Sequence, residues 1–349
     1  MKQRRWKQLA AAVLALSLTA CGTVPAEQPG RTVKLASEEQ VTCIDVPPLD
    51  EAGAAKLTDF GLRLAWHSMA NGRSALVSPM SVATALAMTA NGAEGATLAE
   101  LEDVLGLDKD ALNGALCAWW ASLPESNEAA VRSANSIWFT DHDRFTVDQE
   151  FLKTCTATYG AELFQTPMDA GTSRDINRWV KEKTEGMVPK IVDEVPESAV
   201  MYLVNALAFE GTWAEPYRKQ QVQEGVFLTD SVPVQTTFLY SQETQYLENE
   251  LATGVMKPYA GGEYAFAALL PKGDLTLMAL LDRLDGETLQ ALLRAPQKAA
   301  VQTAIPKFET RDSGRLREAL TDMGLSRAFT EQAELGGVGT STADRKSVV

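Results

Sequence analysis

The stretch Val204-Asn205-Ala206-Leu207-Ala208-Phe209-Glu210-Gly211-Thr212-Trp213-Ala214-Glu215-Pro216-Tyr217 decides how the rest of the chain is read. With Tyr202 and Leu203 ahead of it, the run through Phe209 is long and apolar enough for a strand buried on both faces, and Gly211 and Pro216 break it. Asn205 is polar inside that apolar run. A buried amide is tolerated only when hydrogen-bonded, so Asn205 predicts a partner reaching in from a neighbouring element.

Working outward toward the amino terminus, Leu57, Phe60, Leu64 and Met69 have the spacing of an amphipathic helix. Leu76 to Val82 places Ser78 at a helix N-cap and Pro79 at the first helical position; the helix continues through Ala83, Leu86 and Met88 until Asn91-Gly92 stops it. Thr97 to Leu105 predicts a shorter helix with its own cap and an acidic first turn. Ala134 to Phe139 predicts a strand and Val147 to Tyr159 a helix. Asp175 to Thr184 puts Ile176, Trp179, Val180 and Lys183 near one helical face, with Gly186 as terminator. Beyond Tyr217 the pattern turns to strands: Gly225 to Phe227, Val232 to Tyr240, Val255 to Tyr259, and Tyr264 to Leu270 before the turn Pro271-Lys272-Gly273. Val301 to Phe308 adds another, and Leu316 to Met323 a helix closed by Gly324. This order predicts an α+β fold, helices packed around large, mostly antiparallel sheets, with residues 54–341 as one domain.

Several of these landmarks, in one order, resemble the serpins, the serine-protease-inhibitor superfamily. The likeness rests on the helix start Ser78-Pro79-Met80-Ser81, the glycine-bearing turn after it, the helix opening at Thr97, the stretch through Tyr217, and Ile305-Pro306-Lys307-Phe308. It implies a monomeric inhibitor of serine or cysteine proteases that works without catalysis or cofactor. A reactive loop is cut and its upstream half inserts as a new strand in the central sheet. Ser78, Ser81 and Asn205 would then belong to the shutter, where polar groups hold two strands together and let them part; Trp213 and Lys307 would belong to the breach, where the loop enters. Phe209-Glu210 departs from the more polar, often basic, character usual there. The resemblance also implies that the hinge, the reactive-centre loop, a shutter histidine and the last strands are absent from this chain, leaving open, aggregation-prone sheet edges.

The ends carry a different message. Lys2, Arg4, Arg5 and Lys7 precede an apolar stretch from Leu9 to Leu18, which predicts a secretory signal over residues 1–20. Leu18-Thr19-Ala20-Cys21 resembles a bacterial lipobox, implying cleavage before Cys21, a lipid on its sulfur, and an extracytoplasmic, membrane-anchored protein. Residues 21–53 hold Pro25, Pro29, Pro47 and Pro48 among polar residues and read as a flexible tether. Residues 342–349 read as a disordered or non-native tail, and Asp344 to Val349 resembles a translated sequencing adapter, which implies a cut reading frame.

Composition narrows the function classes. Acidic residues outnumber basic ones, 46 to 32, a net charge of −14 that repels nucleic acid and anionic head groups, so a lipid must supply any membrane hold. Cys43, Cys117 and Cys155 have no metal-ligand spacing, and Cys117 and Cys155 read as small apolar fillers. His67 and His142 lie in no nucleophile-elbow, metal or phosphate-loop pattern, Ser78 has a structural position, and Glu100-Leu101-Glu102-Asp103 reads as a solvated helix face. Two alternatives stay open at this point. One is a non-inhibitory serpin; the other is a solute-binding lipoprotein, which would call for alternating strand and helix units on two lobes.

Overall fold

The computed structural model describes residues 13–19, 32–35, 49–69, 74–124, 128–196, 198–229, 232–310, 312 and 316–341. Cys21, Cys43, the leading cations and the 342–349 tail lie outside them. In chain order the helices are α1 (Glu51–Ser68), α2 (Pro79–Ala90), α3 (Gly95–Leu105), α4 (Lys109–Ala121), α5 (Gln149–Tyr159), α6 (Ala170–Lys183), α7 (Leu277–Arg283), α8 (Gly286–Arg294) and α9 (Arg317–Asp322). The strands begin with β1 (Val13–Thr19), β2 (Val33–Lys34), β3 (Ala129–Thr140), β4 (Phe145–Val147), β5 (Glu162–Thr166) and β6 (Ala199–Gly211). They continue with β7 (Val222–Phe227), β8 (Val234–Glu248), β9 (Ala252–Pro258), β10 (Ala265–Pro271), β11 (Gln297–Pro306) and β12 (Gly339–Ser341).

These elements fall into two compact units. The first takes the described residues up to 123, then 131–208 and those after 314; the second takes 124–130 and 209–313. The division follows the sequence pattern, since helical periodicity dominates before Phe209 and strand after strand follows it.

In the first unit the sheet runs β1-β6-β3-β5-β2. Its neighbours β3 and β5 are parallel, while β1 on β6 and β2 on β5 are antiparallel. Every residue of β6 from Ala199 to Ala208 is buried, the two-faced burial its apolar run implies. Alternation distributes the side chains between two cores. Ile137 and Phe139 of β3 and Met201 and Leu203 of β6 join α1, α2 and α5 on one face. On the other, Trp138, Tyr202 and Val204 meet Ile176, Trp179 and Val180 of α6. Trp138 stacks on Phe164, centroids 4.0 Å apart. Helix α2 is buried from Ser81 through Ala90, the mark of a helix apolar all round.

Local details depart from the sequence reading at the helix starts. Helix α1 begins at Glu51, inside the segment read as tether, because the Asp50 carboxylate accepts from the Gly53 N–H at 2.7 Å. Val33 and Lys34, read as tether too, pair with β5. Helix α3 starts at Gly95 without an acidic first turn of its own. Its cap comes instead from Glu334, whose carboxylate accepts from the N–H groups of Ala96 (2.8 Å) and Thr97 (3.3 Å), while the Thr97 hydroxyl accepts from the Glu334 N–H at 2.9 Å. Gly92 follows α2 as expected, and its missing side chain has a second use: a Cβ there would lie 2.2 Å from Val338. Cys155 is a buried free thiol, as a filler should be, but Cys117 is disulfide-bonded, against the filler reading.

A carboxylate ties α6 and β2 to the sheet. Glu162 accepts from Lys34 Nζ at 2.8 Å, from Trp179 Nε1 at 3.0 Å, and from Lys183 Nζ. Burial pushes its carboxyl up, yet these hydrogen bonds and the Lys183 charge outweigh burial and hold the pKa at about 2. A depressed folded-state pKa contributes stability above the unfolded value and loses it as pH falls through the folded one. Glu162→Gln is therefore expected to lower the urea midpoint at pH 7, with the gap to the parent closing between pH 4.5 and about 2; a gap constant across that range would contradict the account.

Candidate functional site

Two polar groupings stand out, one in each unit. In the first, Asn205 sits at the middle of β6, fully buried. Ser81, one turn into α2, donates its hydroxyl to Asn205 Oδ1. Asn205 Nδ2 donates to Asn135 Oδ1 at 2.8 Å and to Ser133 Oγ at 3.3 Å, both on β3. Asn135 passes the chain on, its Nδ2 donating to the Tyr159 carbonyl at 2.8 Å. The Tyr159 hydroxyl donates to Asn113 Oδ1, and Asn113 and Asn91 exchange bonds at 2.8 and 2.9 Å. Burial pushes the Tyr159 phenol far up, so it remains a donor. A continuous hydrogen-bonded path thus leaves the start of α2, crosses β6 and β3, and returns through α5 and α4 to the end of α2.

Ser78 does not share in it as expected. It occupies the N-cap position of α2, with extended backbone and Pro79 behind it, but its side chain makes no capping bond. Of the shutter set, the structure brings Ser81 and Asn205 together. Asn135 was missed, although it carries the same signal as Asn205, an amide inside an apolar strand.

The second grouping surrounds Trp213, just after β6. Gly211 is buried, and a Cβ there would approach the Tyr259 ring to 2.6 Å, so glycine admits the aromatic. Trp213 stacks on Tyr259 with centroids 4.5 Å apart and planes at 8°, and meets Tyr217 and Phe266 edge-on. Phe209 packs edge-on against Tyr259 and Tyr264. The Ala214 N–H donates to the Pro258 carbonyl at 3.2 Å and the Ala260 N–H to the Thr212 carbonyl at 2.7 Å, which docks this segment on the end of β9. The cation at Trp213 is Lys257, whose Nζ lies 5.7 Å from its ring centroid and 4.8 Å from that of Tyr217. Lys257 in turn contacts Glu243 Oε1 at 2.7 Å. Lys307 is an exposed residue following β11, with its N–H donating to the Thr237 carbonyl at 2.8 Å. Lys257 and Glu243 also escaped the sequence reading, though strand alternation puts Lys257 on the same face as buried Val255.

The histidines stay apart from both groupings. His67 lies in the last turn of α1 with its ring edge-on to Trp66, and burial lowers its pKa. His142 Nδ1 is 3.8 Å from Asp141. Among the described residues no cluster of His, Cys, Asp or Glu could hold a metal ion, and no helix is long and apolar enough to cross a membrane.

Residues 55–348 match the family profile described as Serpin (serine protease inhibitor). The chain is a serpin. An uncharacterized serpin-like protein of Thermococcus kodakarensis is 29% identical over 267 residues, 74% of this chain and 62% of that protein, so the match spans less than two thirds of the relative's length. The plasma serine protease inhibitor of Bos taurus is 26% identical over 316 residues, 87% of this serpin and 78% of the bovine protein. The crystal structure of a thermophilic serpin, tengpin, in the native state superposes with a TM-score of 0.83 at 32% identity, over 90% of this chain and 82% of that one. Corticosteroid-binding globulin of Bos taurus is also similar. Membership of this family leaves no place for the two-lobed solute-receptor reading.

Asn205 and Ser78 separate cleanly by experiment. Asn205→Ala strips partners from Ser81 and Asn135 and is expected to cost roughly 3 kcal/mol in urea denaturation. Ser78→Ala removes no capping bond and is expected to cost under about 0.5 kcal/mol, against about 1 for a working cap. Equal losses at the two positions would contradict this assignment.

Proposed function

We propose that this serpin is most of a conformational protease trap, monomeric, secreted from a bacterium and held at its surface by a lipid on Cys21. In this reading the bait loop lies beyond the 349 residues. A target protease attacks that loop with its serine or cysteine, the amine half of the cut bond leaves, and an ester or thioester joins the two proteins. Insertion of the loop beside β6 then carries the protease away before water can complete hydrolysis. Each added backbone hydrogen bond contributes about 1 kcal/mol net, so a strand of several residues supplies enough to drive the change. The protein itself catalyses nothing and needs no cofactor or metal.

The observation that carries the proposal is the outer edge of β6, which residues 13–19 occupy and which removal of the signal would vacate. Buried on both faces and gripped at Asn205, β6 takes on an antiparallel strand along that edge, in the register Val13 to Ala206 through Thr19 to Ala199. An edge that accepts one extended segment in that direction is what loop insertion requires. Likeness to a plasma serine protease inhibitor points the same way. Likeness to a corticosteroid-binding globulin favours a second reading, a non-inhibitory serpin, and the unread hinge separates them: small residues permit insertion and bulky ones or proline block it. Net charge argues against nucleic acid as a partner.

Incubated with trypsin-like, subtilisin-like and papain-like proteases, residues 21–349 are expected to give no complex that survives a denaturing gel. The same protein extended by the codons that follow Ser341 in its source genome is expected to give one. An extended protein that is cut without forming a complex would refute the trap and leave the non-inhibitory reading. For the anchor, radiolabelled palmitate is expected to label the parent and not Cys21→Ser; unlabelled parent protein in the medium would refute it.

A further inference from the structure

Two charged side chains are buried on the strand faces of the second unit where alternation calls for apolar ones. Lys257 is 3% exposed and shares its face of β9 with Val255; Glu243, on β8, is 6% exposed. Their ion pair is itself supported, since Glu243 Oε1 accepts from Ser241 Oγ at 2.5 Å and Ser241 lies 2.9 Å from Thr303 Oγ1 on β11. Desolvating both charges costs about as much as their attraction returns, and apolar residues of the same volume commonly serve stability as well or better. Stability therefore gives no reason for this pair. An apolar replacement would lack one thing, a cation against aromatic faces, and the Lys257 ammonium lies over Trp213 and Tyr217.

We infer that Lys257 is a positioning residue for Trp213. Glu243 aims the ammonium, the ammonium holds the Trp213 and Tyr217 rings, and Trp213 stays stacked on Tyr259 with its segment docked on the end of β9. The family resemblance placed Lys307 in the breach with Trp213; the cation over the Trp213 ring described here is Lys257 of β9. That this hold delays strand entry rests on the trap reading above, whereas the hold itself does not. The pair is thus a latch on the segment that follows β6, one that an apolar pair would leave open.

The test uses the whole chain labelled with 5-fluorotryptophan, its Trp213 resonance assigned by loss in Trp213→Phe. The double variant Lys257→Met, Glu243→Met removes both charges and keeps volume. Its urea midpoint is expected to stay near the parent's, while the Trp213 resonance moves toward the solvent-exposed position. The amides of 211–215 and 217 are expected to exchange about tenfold faster than in the parent, the scale of a lost desolvated cation–π contact, with β9 unchanged. A charge swap, Lys257→Glu with Glu243→Lys, keeps an ion pair but places a carboxylate at the rings, and the same loosening is expected. Lys257→Arg is expected to restore the native resonance. If either double variant folds with Trp213 as protected as in the parent, the inference is overturned; no protease enters the measurement, so the outcome is independent of whether the protein traps one.

Discussion

An amide in the middle of a doubly buried strand must find partners for two donor hydrogens and an acceptor oxygen, or the strand does not stay there. Asn205 finds them in Ser81, Asn135 and Ser133, and much of the first unit is arranged around that requirement. Dispersion between α2 and the sheet is strong but forgiving, because apolar faces slide at little cost. Hydrogen bonds are directional and do not slide. The path from Ser81 through Asn205, Asn135, Tyr159 and Asn113 to Asn91 touches α2 near both ends, which fixes its axial position under the sheet. For the proposed trap, in which strands would hold and then part, a neutral network has the advantage that separating amides leaves no bare charge.

The second unit meets a related problem with charge. Glu243 and Lys257 are costly to bury and useless singly, so each requires the other. The aromatic side chains around them, Trp213, Tyr217 and Tyr259, give the lysine a second set of contacts that no aliphatic residue would make. Amide chain and ion pair thus flank Gly211 in sequence, the first before it on β6 and the second gathered by the segment after it.

Much of this was legible in the residues. The buried strand announced itself by the apolar run around Val204, and the amide inside it foretold partners without naming them. Helix α2 was legible because proline at its first position and small residues along it leave few other conformations. What escaped did so for a common reason: it depended on residues far apart in the chain. Nothing near Thr97 says that Glu334 will cap its helix, and Val33-Lys34 reads as tether until β5 offers an edge. Ser78 failed in the opposite way, since a local rule put a capping bond where the surrounding structure made none. Lys257 hid behind the rule that lysine marks a solvated face.

The Glu334 cap has a bearing on biosynthesis. The carboxylate that closes the start of α3 is 238 residues downstream of the amide it accepts from. A ribosome delivers Gly95 to Leu105 long before it delivers that carboxylate, so the nascent helix waits with its first amides open through most of elongation. Closing so distant a contact is slow, and until then the amino-terminal helices remain exposed to chaperones and to one another. The late arrival of a single acidic side chain therefore times when the earliest-made part of the molecule is sealed.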